Sequence, residues 1–157
     1  MDSNEGDCLC AILTKDPLSR PEYPTVSARK RQGPIYRRVE CLMDSGAAES
    51  VADSKEFPEF RVVESPGSRE GVNYYMPDGS PVPNEGQQHV RAVTEEGIGI
   101  ATTFQNCRVS RLTLSVSKMS EQGNDVQFMK GGGVIRKKAA GKETRFYRKG
   151  SVYVLAL

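Results

Sequence analysis

Apolar and polar residues alternate along most of this chain in short runs, and the runs are too brief to be helices. Residues 35–43 begin mixed and turn apolar at their end, as a strand does on entering a core. Residues 57–63, 88–93, 98–109, 125–129, 134–136, 144–148 and 152–157 read as further strands. Between them stand the turn formers Ser65-Pro66-Gly67-Ser68, Pro77-Asp78-Gly79-Ser80 and Gly131-Gly132-Gly133. An aromatic strand over 72–76, the turn at Pro77 to Ser80 and a returning strand predict a hairpin that projects from the body, with Pro81 and Pro83 marking an edge. Leu112, Val116 and Met119 share one helical face, which predicts a single helix over 112–119, stopped by Gly123 and Asn124. The sum is about nine short strands and one helix, with turn signals every ten residues or so, which argues for an all-β closed barrel.

Residues 1–33 carry no lasting periodicity, hold Pro17, Pro21 and Pro24, and read as a flexible leader; a short apolar patch over 8–13 is a candidate edge strand. The domain itself is expected over 34–157. At 157 residues, 37% hydrophobic and 27% charged, the chain suits one globular domain with a real core. Its net charge of +2 does not advertise a nucleic-acid partner, and Arg29-Lys30-Arg31, Arg37-Arg38 and Arg136-Lys137-Lys138 read as solvated surface. The N-terminus is acidic where a signal peptide would be basic, and no apolar run reaches the roughly 20 residues that span a bilayer, so a soluble intracellular protein without a membrane partner is expected. Cys8, Cys10, Cys41 and Cys107 then read as free thiols, the last two inside apolar strands. With His89 the sole histidine there is no zinc-type spacing, and neither a metal nor a cofactor is expected.

The stretch 39–48 carries the chemistry. An apolar strand runs into Asp44, followed by Ser45, Gly46, Ala47 and Ala48. The Ser45 hydroxyl and the N–H groups of the turn are donors that can hold the carboxylate in one orientation. Gly46 allows a backbone angle closed to other residues, and the two alanines allow a second backbone to come close. Taken alone, Asp-Ser-Gly is also an ordinary turn. Asp53 and Asp125 sit in turn contexts, Glu49 reads as a solvent-facing or helix-turn residue, and His89 alternates with polar neighbours in a strand. No Ser or Cys nucleophile motif accompanies that histidine.

The hydrophobic-hydrophobic-Asp-[Ser/Thr]-Gly-[Ala/Ser] pattern resembles the aspartic proteases of the retropepsin branch. The order of the other parts resembles the protease region of copia-type retrotransposon polyproteins, from about residue 35 to the end. Met76-Pro77-Asp78-Gly79-Ser80 is similar to that family's "ADGS" segment, and Leu112-Thr113-Leu114-Ser115-Val116-Ser117-Lys118-Met119 to its "NLLSVSKL" helix. Residues 123–135 resemble its glycine-centred hairpin, and 150–155 its closing "GLYVLDL" strand. The resemblance implies a retropepsin-like closed barrel and an endopeptidase in which two aspartates share one proton and activate a water against the peptide carbonyl. The chain holds one such motif, so the implied enzyme is a homodimer with Asp44 of each subunit on a two-fold axis. Ser45, Gly46 and Ala47 would support the carboxylates; Tyr75, Asp78, Gly79 and Ser80 would belong to a flap closing over an extended peptide or polyprotein substrate. One departure stands out: Ala48-Glu49-Ser50-Val51 replaces the family's Thr and His-containing segment, placing a carboxylate five residues past Asp44. The alternative is a retropepsin fold without turnover, serving dimerisation or peptide binding.

Overall fold

The computed structural model describes Ile12–Leu13 and residues 36–157. The expected leader, Cys8 and Cys10 lie outside the described residues, apart from the strand pair at Ile12–Leu13. In chain order the strands are β1 (Ile12–Leu13), β2 (Tyr36–Arg37), β3 (Glu40–Asp44), β4 (Val51–Ala52), β5 (Asn73–Tyr75), β6 (Pro81–Pro83), β7 (Gly86–Val93) and β8 (Gly99–Asn106). They continue with β9 (Thr113–Ser115), β10 (Asn124–Met129), β11 (Gly132–Lys137), β12 (Lys142–Lys149) and β13 (Val152–Ala156). Two α-helices, α1 (Pro66–Arg69) and α2 (Val116–Glu121), and a 3-10 turn at Ser54–Glu56 complete the described elements.

Nine strands form one sheet in the order β10-β11-β12-β13-β3-β9-β4-β8-β7, with β1-β2 and β5-β6 as separate pairs. The all-β expectation holds. The large sheet curls into a half-barrel whose end strands are β10 and β7, where a closed barrel is expected from the sequence. Most neighbours are antiparallel, but β3 pairs parallel with β9 and β4 parallel with β8. Strands β3 and β9 thus bring residues from opposite halves of the chain to the sheet's centre; β9 is buried throughout, whereas β3 buries Cys41 and Met43 and leaves its other face partly open.

Period-two patterning accounts for β7 and β8. In β7, Gly86, Gln88, Val90 and Ala92 are buried and the residues between them are not, so the strand lays one face on the core. Phe57, Phe104, Leu114, Ile135 and Leu155 fill that core, with the Phe57 and Phe104 rings 4.9 Å apart. Gln88 is buried too, and its amide is fully used. Its Nε2 donates to the carbonyls of Phe57 (2.9 Å) and Phe60 (2.8 Å), and its Oε1 accepts from Asn106 at 2.8 Å.

That amide explains a correction. Residues 57–63 are expected as a strand, but their carbonyls turn inward to Gln88, Phe57 is followed by a proline, and only Val63 makes a bridge, to Gln87. The helix also differs from the expectation over 112–119. Leu112, Thr113, Leu114 and Ser115 are all buried, 113–115 form a strand between β3 and β4, and the helix begins at Val116 with Ser115 as its cap. A strand buried on both faces shows no alternation, so the chance helical spacing of Leu112, Val116 and Met119 dominates the reading. The single expected helix is also joined by α1, where a loop is expected: Ser65 and Ser68 form a reciprocal capping box behind Pro66.

Two glycines of the β10-β11 hairpin are dictated by packing: a Cβ on Gly132 would meet the Phe146 carbonyl, and Gly133 is the second. A Cβ on Gly133 would meet the Phe146 ring and the Gln127 carbonyl, whereas one on Gly131 meets nothing within 4 Å. Gly133→Ala is therefore expected to lower stability by about 2 kcal/mol through overpacking, with Gly131→Ala close to neutral; urea denaturation of both variants measures the contrast.

Candidate active site

Asp44 ends β3 opposite Ser115, the last residue of β9. It is half-buried, while Ser45 and Gly46 are exposed. Its Oδ1 accepts the Gly46 N–H at 2.7 Å. Gly46 does not adopt a left-handed angle, contrary to the expectation from sequence. The glycine is favoured for closeness instead: a Cβ there would lie 3.3 Å from the Asp44 Oδ1. A donor N–H aimed at a carboxylate leaves little space for a side chain beside it.

The turn after Asp44 is clamped from the other half of the chain. The Ser115 hydroxyl donates to the Ala47 carbonyl at 2.6 Å, and the same oxygen accepts the Lys118 N–H at 3.2 Å as the cap of α2. The Ser115 N–H donates to the Ser50 hydroxyl at 3.0 Å. Ser115 is fully buried; its N–H bond to Ser50 forms away from competing water, and its two hydroxyl bonds are part-buried. One buried serine ties the strand carrying Asp44, the turn after it and the helix behind it.

The projecting hairpin is β5-β6. Its turn is closed by Gly79 N–H to the Met76 carbonyl (2.8 Å), with Gly79 at φ +82°, a left-handed angle that suits glycine. Asp78 Oδ1 accepts from the Ser80 N–H (2.9 Å) and the Ser80 hydroxyl (2.6 Å). At its root, Asn84 is buried and saturated. Its Nδ2 donates to the Tyr74 hydroxyl and the Gln105 side chain, and its Oδ1 accepts from Ser65 and from the Gly86 N–H. The hairpin therefore has a fixed base and an exposed tip.

The Ser80 hydroxyl, followed by the Ser80 N–H, holds the Asp78 carboxyl below its ordinary range. A folded value below the unfolded one means that this support is present above the ordinary carboxylate range and is lost as pH falls through the folded value. Carboxyl-carbon NMR should give Asp78 a titration midpoint below that of a free aspartate, returning towards it in Ser80→Ala.

Between the Asp44 turn and the hairpin lies a cleft of about 630 Å³. Asp44, Gly46 and Ala47 line its floor and Tyr74, Tyr75 and Met76 its roof. The structure thus brings four of the sequence-expected residues together: Asp44, Gly46, Ala47 and Tyr75. Ser45, Asp78, Gly79 and Ser80 are not in the lining; the last three make the hairpin tip. Sequence reasoning passed over several lining residues, among them Val109, Ser110 and Arg111, because the loop 107–112 carries no motif. Glu49 also lines the cleft, and its expected solvent-facing role is revised: it is half-buried and meets Lys118 Nζ at 3.3 Å. The Glu121 and Glu49 carboxylates together hold the Lys118 ammonium above its ordinary value.

The other candidates are occupied elsewhere. Asp53 caps a 3-10 turn through the Lys55 N–H, Asp125 pairs with Lys138 at 3.0 Å, and the exposed His89 meets Thr103 at 2.9 Å on β7. Cys41 and Cys107 are free thiols, buried as expected, and burial pushes Cys107 up to about 11. Among the described residues no cluster of His, Cys, Asp and Glu could hold a metal ion, and no helix is long and apolar enough to cross a membrane. No protein-family model, curated protein or solved structure matches the chain.

Proposed function

We propose that the chain is a retropepsin-type aspartic endopeptidase that works as a homodimer. The observation that carries this reading is the Asp44 carboxylate at a strand end, steadied by the Gly46 N–H and opening into a cleft roofed by a hairpin with a fixed root. Such a cleft suits an extended peptide: the floor presents a carboxylate among small side chains, and the roof presents Tyr75 and Met76. A lone carboxylate is a poor device for peptide hydrolysis, which needs one group to activate water and a second to polarise the carbonyl. A second copy supplies the second group. Two carboxylates a few ångströms apart share one proton, and the pair then offers a base and an acid together. The ordered resemblance to copia-type polyprotein proteases supports a retrotransposon origin.

The test is digestion of a peptide library by the full chain at mildly acidic pH, with and without a statine-type inhibitor. Inhibitor-sensitive cleavage at defined bonds is the expected result. Peptide binding without cleavage would favour the non-catalytic module, and neither binding nor cleavage would remove both readings.

A further inference from the structure

The cleft under the hairpin does not stop at its side wall. Leu42, Ser110 and Arg111 line it, and the same three residues line a second groove of about 650 Å³ that continues along β3. Most cations of that second groove are already matched. Arg37 meets Glu59 at 3.4 Å, Arg38 pairs with Glu95, and Lys149 meets Glu40 at 2.6 Å. The cleft residue Glu49 meets Lys118, which lies outside the lining and is shared with Glu121. Arg111 differs: it is exposed and, among the described residues, pairs with no carboxylate. A single unmatched guanidinium therefore stands where the two grooves join.

We infer that Arg111 is a specificity-determining residue, selecting peptides that carry one Asp or Glu at the junction of the grooves beside an apolar residue held under the hairpin. The inference rests on the peptide-cleaving reading and names the substrate class for that site. A guanidinium offers two parallel N–H donors that match a carboxylate, and such a charge-assisted pair is stronger than a neutral hydrogen bond. The apolar half of the requirement comes from Leu42, Tyr75, Met76 and Val109 around the same cleft. The acidic half is limited to one position. Further along the second groove an incoming anion would find cations already paired, and it would share the groove with Glu56.

The test measures binding apart from turnover. Full-length Asp44→Asn protein is titrated calorimetrically with octapeptides that have Leu-Phe at the centre and a single Glu, Gln or Lys scanned through the outer positions. At one position Glu should bind about tenfold more tightly than Gln, the lower end for a charge-assisted hydrogen bond because Arg111 is exposed. Adding Arg111→Gln should abolish that preference, and adding Arg111→Glu should turn it towards Lys. No Glu preference at any position, or one that survives Arg111→Gln, overturns the inference even if the wild-type chain cleaves peptides. A Glu preference set by Arg111 in a chain that never cleaves upholds it and removes the protease reading. Failure of every peptide to bind overturns both.

Discussion

Replacing Asp44 by Asn is expected to abolish peptide cleavage while leaving the fold intact. The amide keeps the size of the carboxylate and its oxygen can still accept the Gly46 N–H, now at 2.7 Å, so the turn has no reason to move. What disappears is the negative charge that, in the proposed mechanism, draws a proton from water. Loss of that charge removes general-base catalysis outright, and turnover should fall by about 10⁴-fold or more, with unchanged circular dichroism and thermal midpoint. The same variant should also poison the wild type. If the site needs one aspartate from each copy, random pairing with an equal amount of the Asn chain leaves about half of the original activity, and a larger excess leaves less. An enzyme working as a monomer would show no such loss.

Ser115→Ala is the second large effect. It removes the donor to the Ala47 carbonyl at 2.6 Å and the acceptor for the Lys118 N–H, both at a fully buried position. Losing a helix cap and leaving the half-buried Ala47 carbonyl without its donor together cost about 1–3 kcal/mol. The effect should reach the chemistry as well, because the released carbonyl belongs to the turn that follows Asp44. Misplacing a reacting group by about an ångström can cost a hundredfold. At a temperature where circular dichroism shows the variant folded, kcat should therefore drop about 10- to 100-fold with a smaller change in KM. A variant that loses stability but keeps kcat would make Ser115 a structural residue only, not a positioning one.

Several elements were legible because their signals are local. The strict alternation at Gln88, Val90 and Ala92 marks β7, the Pro77-Asp78-Gly79-Ser80 turn marks the hairpin, and the triple glycine marks the bend between β10 and β11. Asp44 was legible for the same reason, since its support begins two residues away at Gly46. What stayed hidden depends on distant partners. Residues 57–63 have strand composition, but the amide that captures their carbonyls lies 28–31 residues further on, at Gln88. Strand β9 hid behind a helical spacing because burial on both faces erased its alternation. The clamp between Ser115 and Ala47 spans 68 residues, and no local pattern announces it. The side wall bearing Arg111 was equally silent, because a lone arginine in a loop acquires meaning only from the grooves that meet beside it.

The central claim is that Asp44 acts as half of a pair. The most direct measurement is peptide cleavage per chain as the protein is diluted at saturating substrate. The account predicts that activity per chain falls towards zero as dimers dissociate and returns when the sample is concentrated. Constant activity per chain at dilutions where the protein sediments as a 17.3 kDa monomer would contradict it.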